Sequence, residues 1–190
     1  MNETSTDDRL LAPHRPDDGP VQPVASDATG MARWFEEHGR AVYNYFRFLG
    51  ASPDEAEELS AETFFRAIRA RDAYDPTRAS ARTWLCRIAH NAWCDTLRRA
   101  KRRKSIPLAA FRDLAVDAPS PEERLLWEEQ VAALLAAVAT LPPADQELIG
   151  LRYGGDLDCA AIGATLGVSE GTVRTRLWRA LGRLRKVMAA

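Results

Sequence analysis

Apolar residues recur at helical spacing from Met31 onward. Trp34, Phe35, Val42, Tyr45, Phe46 and Leu49 make the first stripe, and Gly50 is a suitable C-terminal stop. Ser52, Pro53 and Glu55 then spell a capping box with proline at the first helical position. The helix they open turns Ala56, Leu59, Thr63, Phe64, Ala67 and Ile68 inward. Residues 72–77, with Pro76, form a turn, and either Ser80 or Thr83 can begin a third helix over residues 82–99. Trp84, Leu85, Ile88, Ala89, Ala92, Trp93 and Thr96 line its inner side; Arg87, Asn91, Cys94 and Arg98 line the outer one. Periodicity lapses over residues 105–120, which hold Pro107 and Pro119 and are expected to be a flexible linker.

Past the linker, Ser120, Pro121 and Glu123 repeat the capping-box pattern and open a helix through Leu125, Leu126, Val131, Leu134, Leu135 and Val138. Leu141-Pro142-Pro143 breaks it, and a further helix is expected over residues 144–153. The remaining stretch, residues 158–185, has the grammar of a helix-turn-helix. Asp158 can cap a short helix carrying Ala161, Ile162 and Leu166. Gly167 supplies the left-handed turn, Val168 plugs it, and Ser169 caps the last helix. On that helix Val173, Leu177, Ala180, Leu181, Leu184 and Met188 share one side. Arg174, Thr175, Trp178 and Arg179 share the opposite side, with Arg183 and Arg185 towards the flanks. A second helix of this kind enters the major groove, where the arginine fork can donate two hydrogen bonds to one guanine. The chain is therefore expected to be all-α, with two small helical domains at residues 31–104 and 121–190. Residues 1–30, polar and rich in Asp and Pro, are expected to be a disordered acidic tail.

Composition modifies this picture in one respect. The chain of 190 residues has a formal net charge of −1, which is low for a nucleic-acid binder. The charges are segregated, however. Acids gather in the tail, whereas Arg98, Arg99, Lys101, Arg102, Arg103 and Lys104 form one basic cluster and the last helix another. Asp54, Glu55, Glu57, Glu58 and Glu62 make the start of the second helix acidic. They either favour a helix N-terminus or form a surface for a cationic partner. The outer side of the third helix is similarly open to two readings: a solvated basic face, or an amide beside arginines that contacts bases and phosphates.

Cys86, Cys94 and Cys159 make no CxxC pair, and His14, His38 and His90 complete no metal-ligand spacing, so no metal or cofactor is expected. No nucleophile–base constellation or Gly-rich phosphate loop is visible, so an enzyme is not expected. There is no signal-peptide pattern and no apolar run of membrane-spanning length, so a cytoplasmic location is expected.

Taken together, the two halves resemble the extracytoplasmic-function (group four) sigma factors of bacterial RNA polymerase over residues 31–188. Glu55-Ala-Glu-Glu-Leu-Ser-Ala-Glu-Thr-Phe64 is similar to that family's Asp-Ala-Glu-Asp-Leu-Val-Gln-Glu-Thr-Phe. Thr83-Trp-Leu-Cys-Arg-Ile-Ala-His-Asn-Ala-Trp-Cys-Asp-Thr-Leu-Arg-Arg99 resembles its promoter-melting and −10 helix. Leu141-Pro-Pro-Ala-Asp-Gln-Glu, Leu151-Arg-Tyr and the stretch from Leu166 to Ala180 resemble its −35 domain. The resemblance implies an alternative sigma factor that binds core polymerase and directs promoter-specific initiation. Glu55, Glu58 and Glu62 would contact the β′ clamp helices, and the second domain would dock on the β flap. Arg82, Arg87, Asn91, Arg98 and Arg99 would engage the −10 element, with Asn91 near an unstacked base. Arg174, Thr175, Arg176, Trp178 and Arg179 would read the −35 element. An anti-sigma factor is a further partner the resemblance implies.

The chain departs from the family pattern at Ala61, where glutamine is usual, and at Asp158-Cys-Ala-Ala-Ile-Gly163, where Ser-Tyr-x-Glu-Ile-Ala is common. Gly163 inside a helix is expected to cost roughly 1 kcal/mol relative to alanine. Cys94 on the outer face is a candidate for redox sensitivity, its bland alternative being an incidental thiol. Ala189-Ala190 resembles the tag read by ClpXP-type proteases, the alternative being an ordinary frayed end. The rival classes are a one-component repressor or response-regulator output domain, which would account for the second half alone.

Overall fold

A computed structural model describes residues 28–103 and 121–189. The elements are α1 (Ala28–Phe48), α2 (Pro53–Arg69), a 3-10 turn (Arg71–Ala73) and α3 (Ala81–Arg103), followed by α4 (Pro121–Ala139), α5 (Pro143–Ile149), a π-helical turn (Gly150–Gly154), α6 (Cys159–Leu166) and α7 (Glu170–Met188). No strand occurs among the described residues, so the fold is all-α. The expected tail, linker and Ser120 cap lie outside the described residues.

Local signals set the helix ends. Gly50 takes φ +87°, and the Ala51 N–H then reaches back to the Phe46 carbonyl at 3.1 Å. Both halves of the capping box at Ser52 are made: the Glu55 N–H donates to Ser52 Oγ (3.2 Å) and the Ser52 N–H to Glu55 Oε2 (2.9 Å). Of the two candidates for the start of α3, Ser80 is the one that caps, accepting from the Thr83 N–H at 3.2 Å. Asp158 accepts from the Ala161 N–H and Ser169 from the Thr172 N–H, while Gly167 takes φ +70° between them. The helix-turn-helix therefore stands as its residues predict.

In the first half, α1, α2 and α3 enclose an aromatic cluster in which Trp34, Tyr74 and Trp84 meet at centroid distances of 5.0, 5.2 and 5.9 Å. Val42, Tyr45, Phe46, Leu85 and Ala89 are buried beneath it. Three apolar side chains expected inside lie outside: Phe35, Ile68 and Met188. Phe35 adjoins Trp34, about 100° around the helix, so the face that buries Trp34 turns Phe35 outward, where its ring meets Phe64 at a centroid distance of 5.0 Å. Ile68 and Met188 fall in the last turns of α2 and α7.

The second half departs from the sequence pattern at two places. Gln146 Nε2 donates to the Ala139 and Leu141 carbonyls, sealing the end of α4 across the two prolines. The helix expected over residues 144–153 is α-helical only to Ile149. It then widens into the π turn, closed by the Gly155 N–H on the Gly150 carbonyl at 2.8 Å. At Gly163, a methyl group would stand 2.6 Å from the Val168 carbonyl oxygen. The glycine expected to weaken α6 is thus what lets the turn fold back onto it.

The two halves share one hydrophobic core, running from Trp34 in α1 to Leu184 in α7 without interruption. Helix α1 packs on α2 and on the π turn, and α3 packs on α6. Nothing in the helical periodicity announces this docking of one half on the other.

Gly163→Ala is expected to destabilise the chain by about 1–3 kcal/mol through overpacking against Val168, where helix propensity alone predicts a gain. Urea unfolding followed by circular dichroism checks the sign.

Candidate nucleic-acid interface

Helix α7 buries one stripe and exposes the other. Val173, Leu177, Ala180 and Leu184 are buried against α4, α5 and α6. Arg174, Thr175, Arg176, Trp178 and Arg179 are all exposed, and Trp178 keeps 55% of its surface open. An indole so exposed contributes nothing to the core; its apolar face is available to a ligand. Glu170 and Arg174 form an ion pair one turn apart, and Thr175 Oγ1 donates to the Gly171 carbonyl at 3.0 Å. Arg183 anchors the helix, because both its Nε and Nη2 donate to the buried Asp145 carboxylate, at 2.6 and 3.2 Å. That bidentate clamp sets the rotation of α7. Sequence reasoning misses it; an acid three residues after Pro142 is the only signal it leaves.

On α3, Arg87, Asn91, Arg98 and Arg99 are exposed as expected. Arg98 Nη1 is held by Asp95 at 2.6 Å, and the Asp95 carboxylate also accepts from Arg66 Nη1 at 3.0 Å. The Arg66 hydrogen bond keeps the Asp95 carboxyl below its ordinary range. Arg82 does not join the others. It turns towards the second half and pairs with Asp156. Cys94 is also not on the open face: it is half-buried, with Sγ 3.7 Å from His90 Nε2. Burial pushes its thiol pKa up. Cys86 is fully buried, and its thiol is pushed up to about 12 by the same cause.

The acidic candidates flank a groove of about 870 Å³ between α2 and α3, lined by Glu55, Glu58, Glu62, Phe65 and Arg99, among others. Glu55 and Glu58 are exposed, whereas Glu62 is tied to Arg66 at 2.6 Å. Phe65 stands 54% exposed at this groove, and the Arg69 guanidinium lies 5.7 Å from its ring centroid. The groove thus brings Arg99 beside the glutamates, although the sequence pattern assigns the two to different ligands. Ala189 is exposed beyond α7, and Ala190 lies outside the described residues.

Comparison with known proteins decides what these surfaces belong to. Residues 34–103 match the family model Sigma-70 region 2, and residues 137–186 match Sigma-70, region 4. The sigma factor SigE of Mycolicibacterium smegmatis is 35% identical over 182 residues, covering 92% of this chain and 70% of that protein. The chain belongs to the extracytoplasmic-function sigma factors. BldN of Streptomyces coelicolor, another member, is 29% identical over 86% of this chain, which spans 62% of that relative's length. Among solved structures, RpoE of Bartonella quintana matches with a TM-score of 0.70 at 18% identity, over 86% of this chain and 99% of that one. CnrH matches with a TM-score of 0.64 at 23% identity, over 96% of this chain and 97% of that one. Both show the same fold. Sigma factors of this family are DNA-binding transcription initiation factors. Among the described residues of this one, no helix is long and apolar enough to cross a membrane.

Of the three thiols of this sigma factor, Cys94 is the one expected to react first with a maleimide, because Cys86 and Cys159 are buried. Its raised pKa means little thiolate at neutral pH, so the labelling rate should climb roughly tenfold per pH unit from pH 7 to 9. Peptide mass spectrometry of timed samples checks both the order and the slope.

Proposed function

We propose that this sigma factor binds core RNA polymerase and recruits it to promoters through two separate DNA surfaces. The observation that carries this reading is the α7 face, where Arg174, Thr175, Trp178 and Arg179 stand clear of a helix that buries Val173, Leu177, Ala180 and Leu184 on its other side. Two arginines flanking a hydroxyl and an indole fit base-edge readout in a major groove. Arg176, off that line, fits a phosphate contact. This surface reads the −35 element.

The unit at residues 31–104 binds the −10 element with Arg82, Arg87, Asn91, Arg98 and Arg99. The exposed amide of Asn91 fits hydrogen bonding to an unstacked base, and the arginines fit phosphates. The unit at residues 121–190 carries −35 recognition and docks on the β flap, and residues 105–120 connect the two. Glu55, Glu58 and Glu62, with the exposed Phe65 in the same groove, suit a partner surface that is cationic and apolar, as the β′ clamp helices would provide. RpoE of Bartonella quintana was solved with the anti-sigma factor NepR, and CnrH with the cytosolic domain of CnrY. A partner of the first kind is proposed here as well. The site of action is the cytoplasm.

Run-off transcription from genomic fragments, with core polymerase alone and with this chain added, tests the reading. New discrete start sites only in the second reaction support it; core binding and new starts both absent would overturn it. Arg174→Ala and Arg179→Ala are each expected to lower transcription from a promoter so identified by roughly 5- to 150-fold, corresponding to about 1–3 kcal/mol for a bidentate base contact. Core-polymerase affinity, measured by fluorescence anisotropy of the labelled chain, should be unchanged in both.

A further inference from the structure

The surface of α3 that faces the second half is a row of polar side chains four residues apart: Arg82, Cys86, His90 and Cys94. Positions at this spacing form one stripe along a helix. The first three meet the second half in antiparallel order. Arg82 pairs with Asp156, Cys86 Sγ lies 3.8 Å from the Gly155 carbonyl oxygen, and His90 Nδ1 lies 2.7 Å from Glu147 Oε1. Beside this row, the π turn presses on α1. A methyl group on Gly154 would stand 2.7 Å from the Tyr45 nitrogen and 2.8 Å from its Cα, and the third-nearest atom is the Asn44 carbonyl carbon. All three belong to the other half of the chain. Gly154 has no positive φ, so its backbone would accept alanine. What excludes a side chain there is the docked first half.

We propose that this seam is an autoinhibitory latch: closed, it places Asp156 on Arg82 and withholds that guanidinium from the −10 strand. The inference rests on the reading of Arg82 as a phosphate contact. Arg82 is 25% exposed in its side chain, whereas Arg98, further along α3, is 66% exposed. Asp156 and a backbone phosphate are both oxyanions and compete for the same fork. Arg82 therefore changes partner when the chain engages DNA, and the seam must part at that end.

The seam is also built to part. Tyr45 is fully buried beside it, and its hydroxyl has no hydrogen-bond partner among the described residues; neither has the side-chain oxygen of Asn44. Buried groups left this way oppose closure. The two ion pairs are only partly shielded, Arg82 and Asp156 at 25% and 39%, His90 and Glu147 at 20% and 23% side-chain exposure. Ion pairs of that kind add little to the shared core that holds the closed state, and a tighter ligand of the open state can displace them. Meanwhile the α7 reading face stays exposed in the closed chain. The latch thus withholds one guanidinium of the −10 surface and leaves the −35 surface accessible.

The test uses the full chain and four forms: wild type, Gly154→Ala, Arg82→Ala and the double variant. Small-angle scattering reads closure. Binding of a fluorescein-labelled, mixed-sequence 12-nucleotide single strand reads access to phosphate, across a salt series. Gly154→Ala is expected to raise the radius of gyration and tighten strand binding several-fold. Its log–log salt slope should steepen by about 0.7, the increment for one more neutralised phosphate on a single strand. Arg82→Ala should cancel that tightening in the Gly154→Ala background and cost less strand affinity in the wild type than it does there. An equal loss from Arg82→Ala in both backgrounds would overturn the latch while leaving Arg82 a DNA contact. Opening with no effect of Arg82→Ala in either background would overturn the DNA role of Arg82, and the latch with it. Should Gly154→Ala fail to fold by circular dichroism, Glu147→Gln with Asp156→Asn takes its place. Scattering and strand binding unchanged in that variant, or a wild-type profile that fits two separated domains, would overturn the proposal.

Discussion

The π turn at Gly154 lies against the backbone of α1 at Tyr45 with no space for a methyl group between them, and the rest of the arrangement follows from that contact. It fixes where residues 150–157 sit, and hence where α6 starts. Helix α6 then meets α3, and the core becomes continuous across both halves. Close packing of this kind is intolerant of even one added methylene. The chemistry of the buried groups follows too. Cys86, enclosed between α3 and Gly155, is a thiol of pKa about 12, and burial likewise raises the Tyr45 phenol well above its ordinary value. Neither group ionises near neutral pH.

The charged surfaces obey a second rule. Two of the guanidinium groups assigned to a ligand already have a carboxylate beside them on the open surface: Glu170 for Arg174 and Asp95 for Arg98. Exposed pairs of this kind contribute only about 0–1 kcal/mol each. Exchanging a carboxylate for a phosphate or a base therefore costs little, while the pair keeps the long side chain in the needed region before binding. A net charge of −1 is consistent with this pattern. The chain is not a general polycation, and its basic surfaces act over short range under physiological screening.

Features set by residues within one helical turn are legible in the sequence. The caps at Ser52, Asp158 and Ser169 and the left-handed glycines Gly50 and Gly167 involve neighbours no more than a few positions away. The buried stripe of α7 is legible for the same reason: 3.6-residue periodicity records which side faces a core. What is not legible depends on partners far along the chain. Arg183 and Asp145 are 38 positions apart, His90 and Glu147 57, and Arg82 and Asp156 74. Periodicity does not say which core a stripe will meet. Gly163 shows the limit most clearly. Helix propensity marks it as a weakness, and only the proximity of the Val168 carbonyl reveals it as a requirement.

Helix α3 shows how one element serves conflicting demands. Its sequence divides into three stripes. Trp84, Leu85, Ala89 and Ala92 are buried in the core, Arg87, Asn91 and Arg98 face solvent, and Cys86, His90 and Cys94 face the second half. A helix has room for three such stripes only if they are narrow, so residues at their borders serve two masters. Arg82 is such a residue, at the N-terminal end of the seam stripe where it borders the buried one. Its long side chain can reach either an aspartate of its own chain or an external phosphate. Cys94, at the other end of the seam stripe, is the opposite case. A drift of about 40° for each four-residue step brings it round to the edge of the open face, where it lies half-buried against His90. The same geometric drift that brings Cys94 up to the open face leaves Arg82 beside the core, within reach of the second half.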